Sequence, residues 1–375
     1  MREDLLGVIT STKDVTNAIV LTHNIDFLFI QSVLVPALRK SGSPKLTIFA
    51  DAYCSEDTYH HQHRFLSALG LRYRVVPVAM KPGFRFHPKA VLLSGTAKAT
   101  LLVGSGNLTF GGWRENAEVW FRYDTDLDGT APFAGFRNYL EQIVALCADP
   151  KQSILYETEE AFDAASRQWA SSMASPSRIL GHAGQGQSLL DQMKLVLKDR
   201  VASELTLCTP YFDDDAEALR VMAQEIGVNS CTVLAQSGRT NLLASAAASL
   251  GPMFSLKAAS FQHREQIGSN GEERVREAFL HAKIYAILSG SEVVVFAGSA
   301  NCSRAALTIP GSAGNAELMT WAVVSKEEFG SGFTSELILS DSAPVLPTEN
   351  APKTLIDADD FIHIDAARFE LLSIE

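Results

Sequence analysis

The chain carries one constellation of polar residues twice, and this duplication limits its fold more than any other feature. The first copy reads His87-Pro-Lys89, Gly104-Ser-Gly-Asn107 and Asn116-Ala-Glu118. The second reads His281-Ala-Lys283, Gly298-Ser-Ala-Asn301 and Asn315-Ala-Glu317. His and Asn stand 20 residues apart both times. Asn and Glu are 11 apart in the first copy and 16 in the second, which puts a short insertion near Pro310-Gly311. The flanks repeat in type. Residues 18–21 (strand), 27–40 (helix) and 46–50 (strand) precede the first copy; 205–208, 216–226 and 231–235 precede the second. Each His-x-Lys then opens a hairpin, 89–93 with 100–103 and 283–288 with 293–297, with Leu-Ser-Gly between the strands.

Strands mixed with helices in two like halves predict an α/β protein of two related layered units. The boundaries expected are an N-terminal repeat over 1–150, a helical connector over 151–199, a C-terminal repeat over 200–326 and an extension over 327–375. In and before the connector, 133–147, 158–172 and 188–197 read as helices, and 181–187 as a flexible loop whose glycines lack the Gly-Lys-Ser/Thr of a phosphate loop. A length of 375 residues suits two domains, and 46% hydrophobic with 20% charged residues excludes disorder over most of the chain. No apolar run is long enough to span a bilayer, and Met1-Arg2-Glu3-Asp4 does not open a signal peptide. The five cysteines show no CxxC spacing and read as reduced thiols of a cytoplasmic protein. A net charge of −11 argues against non-specific coating of nucleic acid but leaves room for a local positive channel.

Side chains two apart on a strand share a face, so His87 projects with Lys89 and His281 with Lys283. A Gly-Ser-x-Asn turn presents a hydroxyl and an amide to a ligand. If the halves pack about a pseudo-twofold axis, two His, two Lys and two Asn surround one pocket suited to phosphate. One imidazole then attacks phosphorus and forms a phosphohistidine, and the other protonates the leaving oxygen and deprotonates the incoming water or alcohol. His87 is taken as nucleophile and His281 as acid/base, although their spacings are equal. Lys89, Lys283, Asn107 and Asn301 stabilise the non-bridging oxygens, Ser105 and Ser299 contact phosphate, and Glu118 and Glu317 each hold the His of the matching copy. This chemistry requires no metal and no cofactor.

The duplicated His-x-Lys and Gly-Ser-x-Asn resemble the signature of the phospholipase D superfamily, over most of residues 14–326. The resemblance implies two α/β/α sandwich repeats with the active site between them. Lipase-type members carry Asp seven residues after the His; Ser94 and Leu288 stand there. The pattern is more similar to the nuclease and tyrosyl-DNA phosphodiesterase branches. It implies a nucleic-acid phosphodiesterase, on DNA before RNA, without a membrane partner. The alternatives are a phospholipid phosphodiesterase or transphosphatidylase, and a nucleic-acid-binding subunit of a larger defence complex or one with an ATPase or helicase motor.

Other polar groups invite blander readings. His60, His61 and His63 suit a helix surface better than a metal site. Arg72, Arg74, Lys81 and Arg85, and Arg264, Arg274 and Arg276, are either solvated faces or the track of a phosphate backbone. Trp113 suits core packing before base stacking. Asp213-Asp-Asp215 reads as the acidic start of a helix.

Overall fold

The computed structural model of the chain describes residues 5–147, 152–163, 165, 167–172, 177–184, 186–267, 272–310, 313–340 and 342–349. The apolar runs of the first half pair into a sheet of β1 (Val15–Thr22), β2 (Lys45–Asp51), β3 (Tyr73–Val78), β4 (Ala90–Gly95), β5 (Ala99–Gly104) and β6 (Trp120–Asp124), in the order β3-β2-β1-β4-β5-β6. β1, β2 and β3 run parallel; β4, β5 and β6 follow antiparallel. The second half builds β7 (Ile179–His182), β8 (Glu204–Cys208), β9 (Ser230–Ala235), β10 (Phe254–Ile267), β11 (Glu272–Ala278), β12 (Ile284–Ser289), β13 (Glu292–Gly298), β14 (Glu317–Ser325) and β15 (Ile338–Ser340). Its central order, β10-β9-β8-β12-β13-β14, repeats the first sheet strand for strand, with the same parallel and antiparallel pairings.

β4 and β5 are buried along their whole length, as strands covered on both faces must be. One cover of the first sheet is the segment after β1, α-helix Phe27–Phe29, a π stretch Ile30–Leu34 and α-helix Val35–Ser41. Helix Ala131–Leu146 supplies the other, through Phe133, Phe136, Tyr139, Leu140 and Ile143. That inner core also takes Ala316 and Leu318 from the second half, and Ala117 of the first half enters a core of the second. The two sheets therefore share buried surface.

The connector departs from expectation. Residues 151–199 are not wholly helical: β7 pairs antiparallel with β14 and extends the second sheet, because 179–182 alternates partly buried and buried residues along an open strand edge. The expected loop at 181–187 thus begins inside a strand. The expected helix at 158–172 is split into α-helix Gln152–Glu160 and 3-10 helix Gln168–Ser172. Glu157 accepts from Thr47 at 2.8 Å and Glu160 from Asn17 at 3.0 Å, tying the first of these to β1 and β2. The β10–β11 hairpin pairs the polar stretches 261–267 and 272–278, which no apolar run marks in the sequence. Of the C-terminal extension, β15 joins β10, and Val345 and Pro347 accept backbone bonds from Gly238 and Ala244. Residues 350–375, and Gly311 of the insertion, lie outside the described residues.

Gly104 and Gly298 end β5 and β13 at equivalent points. A Cβ on Gly104 would meet the Val119 carbonyl oxygen and the Trp120 ring well inside contact distance, and one on Gly298 the Leu318 carbonyl oxygen. Gly298 also has φ +155°. The glycine of each Gly-Ser-x-Asn thus lets the next strand approach, which brings its Glu to the site. Gly104→Ala is expected to destabilise the protein by about 2 kcal/mol, read as a lowered midpoint in urea unfolding.

Candidate active site

The backbone bonds that precede each His-x-Lys bring the two copies together. The His87 N–H donates to the Ala316 carbonyl at 2.9 Å, and Ala316 N–H to the Arg85 carbonyl at 2.9 Å. The symmetric pair is Ala117 N–H to the Phe279 carbonyl at 2.7 Å and His281 N–H to the Ala117 carbonyl at 3.0 Å. Each His segment therefore lies against the Asn-Ala-Glu segment of the other repeat.

This geometry corrects one expectation. Neither Glu holds the His of its own copy. His87 Nδ1 pairs with Glu317 Oε2 at 2.9 Å, and His281 Nδ1 with Glu118 Oε1 at 2.7 Å. The carboxylates cross over because 117 and 316 pair with 280 and 86 across the pseudo-twofold axis. A carboxylate can only accept, so both histidines carry hydrogen on Nδ1, which leaves Nε2 outside the His–Glu bond.

Ser105 and Ser299 are corrected as well. Ser105 Oγ donates to Glu118 Oε2 at 2.5 Å, and Ser299 Oγ donates to Glu317 Oε2. Each hydroxyl also accepts a backbone N–H, from Val119 at 3.0 Å and Leu318 at 2.9 Å. A hydroxyl has one proton to give, and here it goes to the carboxylate; both serines orient the glutamates and neither has a donor left for phosphate. Asn116 and Asn315, which open the Asn-Ala-Glu of each copy, also hold the glutamates. Their Nδ2 groups donate to Glu118 Oε1 at 3.2 Å and Glu317 Oε1 at 3.1 Å. Their i, i+2 spacing to the glutamates was the signal in the sequence.

Lys89 and Lys283 are fully buried. Each Nζ donates to the carbonyl of its own motif His, at 2.8 and 2.9 Å. Lys283 Nζ also reaches His281 Nε2. Asn107 Oδ1 accepts from the Asn24 N–H, and Asn301 Oδ1 from Thr209 Oγ1, both at 3.2 Å. With the oxygens so engaged, the amide NH2 groups are the donors offered to an anion.

Burial lowers the pKa of His87 first, Glu317 opposes this, and the Lys89 and Lys283 charges add to the lowering. His87 is thus neutral at neutral pH. Lys283 belongs to the other copy, so its field at His87 shows the two sets converging. Burial would raise the pKa of Glu317, but interaction with His87, then Lys89 and Ser299, outweighs it and holds it down at about 2. An ionised Glu317 facing a neutral His87 keeps the proton on Nδ1. A group working as free base with a lowered pKa loses activity only when pH falls through that lowered value. The acid limb of kcat/KM assigned to His87 is therefore expected below the ordinary 6.5, in a rate profile taken from pH 4 to 9.

Other singled-out residues lie elsewhere. His60 and His61 sit on helix Ala52–Gln62 and His63 on the 3-10 turn after it, all exposed. Trp113 is core, edge-on to Phe29 and Trp120. Ser94, where the lipase-type Asp would stand, donates to the Ala161 carbonyl at 2.8 Å. Asp213 and Asp215 accept from Ala218 and Glu217 at the start of helix Glu217–Ile226, and Asp213 also from the Arg304 N–H. Arg72, Arg74, Lys81, Arg85 and Arg274 are exposed and Arg276 is half-buried; the Arg264 side chain lies outside the described residues. A cavity of about 940 Å³ adjoins Asn116 and Glu118 and is lined by Trp120, Arg114, Arg122, Phe261 and His263 among others.

Two sheets of one topology, sharing a core and facing each other across duplicated His-x-Lys and Gly-Ser-x-Asn, define a phospholipase D-like two-repeat fold. Over 86% of its length the chain superposes on 86% of yeast tyrosyl-DNA phosphodiesterase, with a TM-score of 0.52 at 11% identity. A SCAN1 mutant of that yeast enzyme gives 0.53 over 87% of this chain and 86% of its own, also at 11% identity. Polyphosphate kinase from Porphyromonas gingivalis aligns with 91% of this chain and 51% of its own, at 0.45 and 13% identity. No family model matches the chain, and no curated protein sequence matches it. At these identities the likeness is one of fold.

Proposed function

We propose that the chain is a phosphodiesterase that cleaves nucleic acid, DNA before RNA, through a covalent phosphohistidine. The observation that carries this reading is the crossed pair of His–Glu couples, each with a buried lysine, converging from two repeats. The neutral His87 attacks phosphorus through Nε2; the N–P bond forms as the P–O bond to the leaving group breaks. His281 enters as the imidazolium, protonated at both ring nitrogens and paired through Nδ1 with Glu118, and gives its Nε2 proton to that oxygen. It then takes a proton from water, whose oxygen displaces His87 and regenerates the enzyme. Lys89, Lys283 and the amides of Asn107 and Asn301 stabilise the charge on the non-bridging oxygens. Two histidines and two ammonium groups supply what a metal would, so the chemistry is metal-independent.

Nucleic acid is favoured over lipid by the aromatic and basic lining of the cavity beside Glu118, where Trp120, Phe261, Arg114 and Arg122 suit bases and phosphates of a single strand. Among the described residues no helix is long and apolar enough to cross a membrane. The test incubates labelled single- and double-stranded DNA, RNA and phosphatidylcholine vesicles with the protein in excess chelator. Cleavage of a nucleic acid at the rate seen without chelator is the expected result. Loss of cleavage in chelator overturns the mechanism, and turnover of vesicles alone overturns the substrate class. Binding of nucleic acid without turnover in any condition would favour the non-catalytic subunit.

A further inference from the structure

Beside His87, the first repeat gathers three metal-ligand side chains that the phosphodiesterase chemistry does not use. His23 follows β1, Asp51 ends β2, and Cys54 lies in the first turn of helix Ala52–Gln62. One donor atom from each lies within 4.8 Å of the other two. His23 and Asp51 are buried, and Cys54 is half-buried and so reachable from solvent.

The ring of His23 is set for ligation. Its Nδ1 bonds to the Phe86 carbonyl at 3.2 Å. A carbonyl only accepts, so Nδ1 carries the hydrogen and Nε2 has the lone pair. That Nε2 faces Cys54 Sγ at 3.7 Å. Two donors on one tetrahedral zinc, with Zn–S about 2.3 Å and Zn–N about 2.0 Å, stand about 3.5 Å apart. A carbonyl holding the other ring nitrogen is also the usual outer support of a metal-bound imidazole.

The second repeat shows that the fold does not demand this trio. The strand registers align Leu21 with Cys208 and Phe49 with Leu234. His23, Asp51 and Cys54 then correspond to Pro210, Gln236 and Arg239. Asp51 Oδ2 accepts the Phe86 N–H at 2.9 Å, and Gln236 Oε1 accepts the equivalent Leu280 N–H at 2.8 Å. The clamp on the segment before each catalytic His therefore needs only a neutral oxygen. Asp51 Oδ1 also caps helix Ala52–Gln62, accepting the Tyr53 and Cys54 N–H groups at 3.1 and 3.2 Å; the thiol and the imidazole gathered beside this carboxylate are what neither the clamp nor the cap requires.

We propose that His23 Nε2, an Asp51 carboxylate oxygen and the Cys54 thiolate bind a divalent transition metal of the zinc class, with one position open to water. A thiolate, an imidazole and a carboxylate select zinc and its neighbours over magnesium or calcium, which prefer all-oxygen sites. The His23 and His87 rings are 5.1 Å apart, so the metal would sit close to His87. The inference goes beyond the proposed function and does not rest on it.

The test titrates chelator-stripped full-length protein with cobalt(II), without nucleic acid. One equivalent is expected to give a thiolate-to-metal charge-transfer band, bleached by one equivalent of zinc and unaffected by millimolar magnesium. Cys54→Ser is expected to abolish the band, and His23→Gln to weaken cobalt binding at least about tenfold. Alkylation of the wild-type protein, mapped by mass spectrometry, supplies a measurement that needs no variant: zinc should slow labelling of Cys54 at least about tenfold. A wild-type spectrum without the charge-transfer band, a band that survives in Cys54→Ser, or equal labelling of Cys54 with and without zinc each overturns the site.

Discussion

Replacing His87 by alanine is expected to reduce cleavage of labelled DNA by about four orders of magnitude or more, with the fold intact by circular dichroism. The size follows from its role: without Nε2 no N–P bond forms, and the remaining donors can stabilise charge only in an unassisted attack by water. His281→Ala should impair the same assay but leave His87 able to attack. A substrate with a leaving group that needs no protonation would then load phosphate onto His281→Ala and not onto His87→Ala. Acid-quenched protein analysed by mass spectrometry would show the adduct and its position. Because the His-to-Asn spacing is the same in both copies, this is also the experiment that assigns the roles. An adduct on His281 in the His87→Ala protein would reverse them, and wild-type activity in both single variants would exclude the mechanism.

Glu317→Gln is expected to slow turnover by about three orders of magnitude. The carboxylate accepts from His87 Nδ1 at 2.9 Å and so keeps the lone pair on Nε2. An amide in its place can donate to Nδ1 and turn the tautomer over, leaving the attacking nitrogen protonated. The crossed geometry makes a sharper forecast. In a double-mutant cycle, Glu317→Gln and His87→Ala should be strongly non-additive, because each disables the same couple. Comparison with His281→Ala, whose carboxylate is Glu118, should show the weaker coupling. The reverse pattern would mean that each Glu serves its own copy. Stability should respond to pH through the same group. The folded pKa of Glu317, about 2, lies below its ordinary 4.5, so its stabilising contribution is complete above 4.5 and is lost as pH falls toward 2. Acid unfolding of Glu317→Gln should lack that part of the slope.

Individual strands could be placed from the sequence because apolar runs and Leu-Ser-Gly turns mark β1, β2, β4 and β5 and their counterparts, whereas the order of strands in the sheet came only from the structure. β3 escaped since its buried residues are interrupted by exposed Arg74 and Pro77, and β7 because four residues at a sheet edge carry almost no periodic signal. The polar site was legible as a list for a simple reason: duplication at matched spacing is a one-dimensional property.

How those residues pair was not. Spacing along the chain ties Glu118 to His87 and Glu317 to His281, and contact in space ties them the other way. The chain alone determined which side chains would be available and on which strand faces they would project, because the two-residue period of a strand is local. Only the tertiary structure decided that the carboxylates exchange partners between the repeats, and that within one repeat Ser105 and Ser299 give their protons to those carboxylates and His23 meets Asp51 and Cys54 beside His87. The exchange is set by the shared core and the pseudo-twofold axis, and the other contacts by strand pairing inside one repeat; no local pattern encodes either.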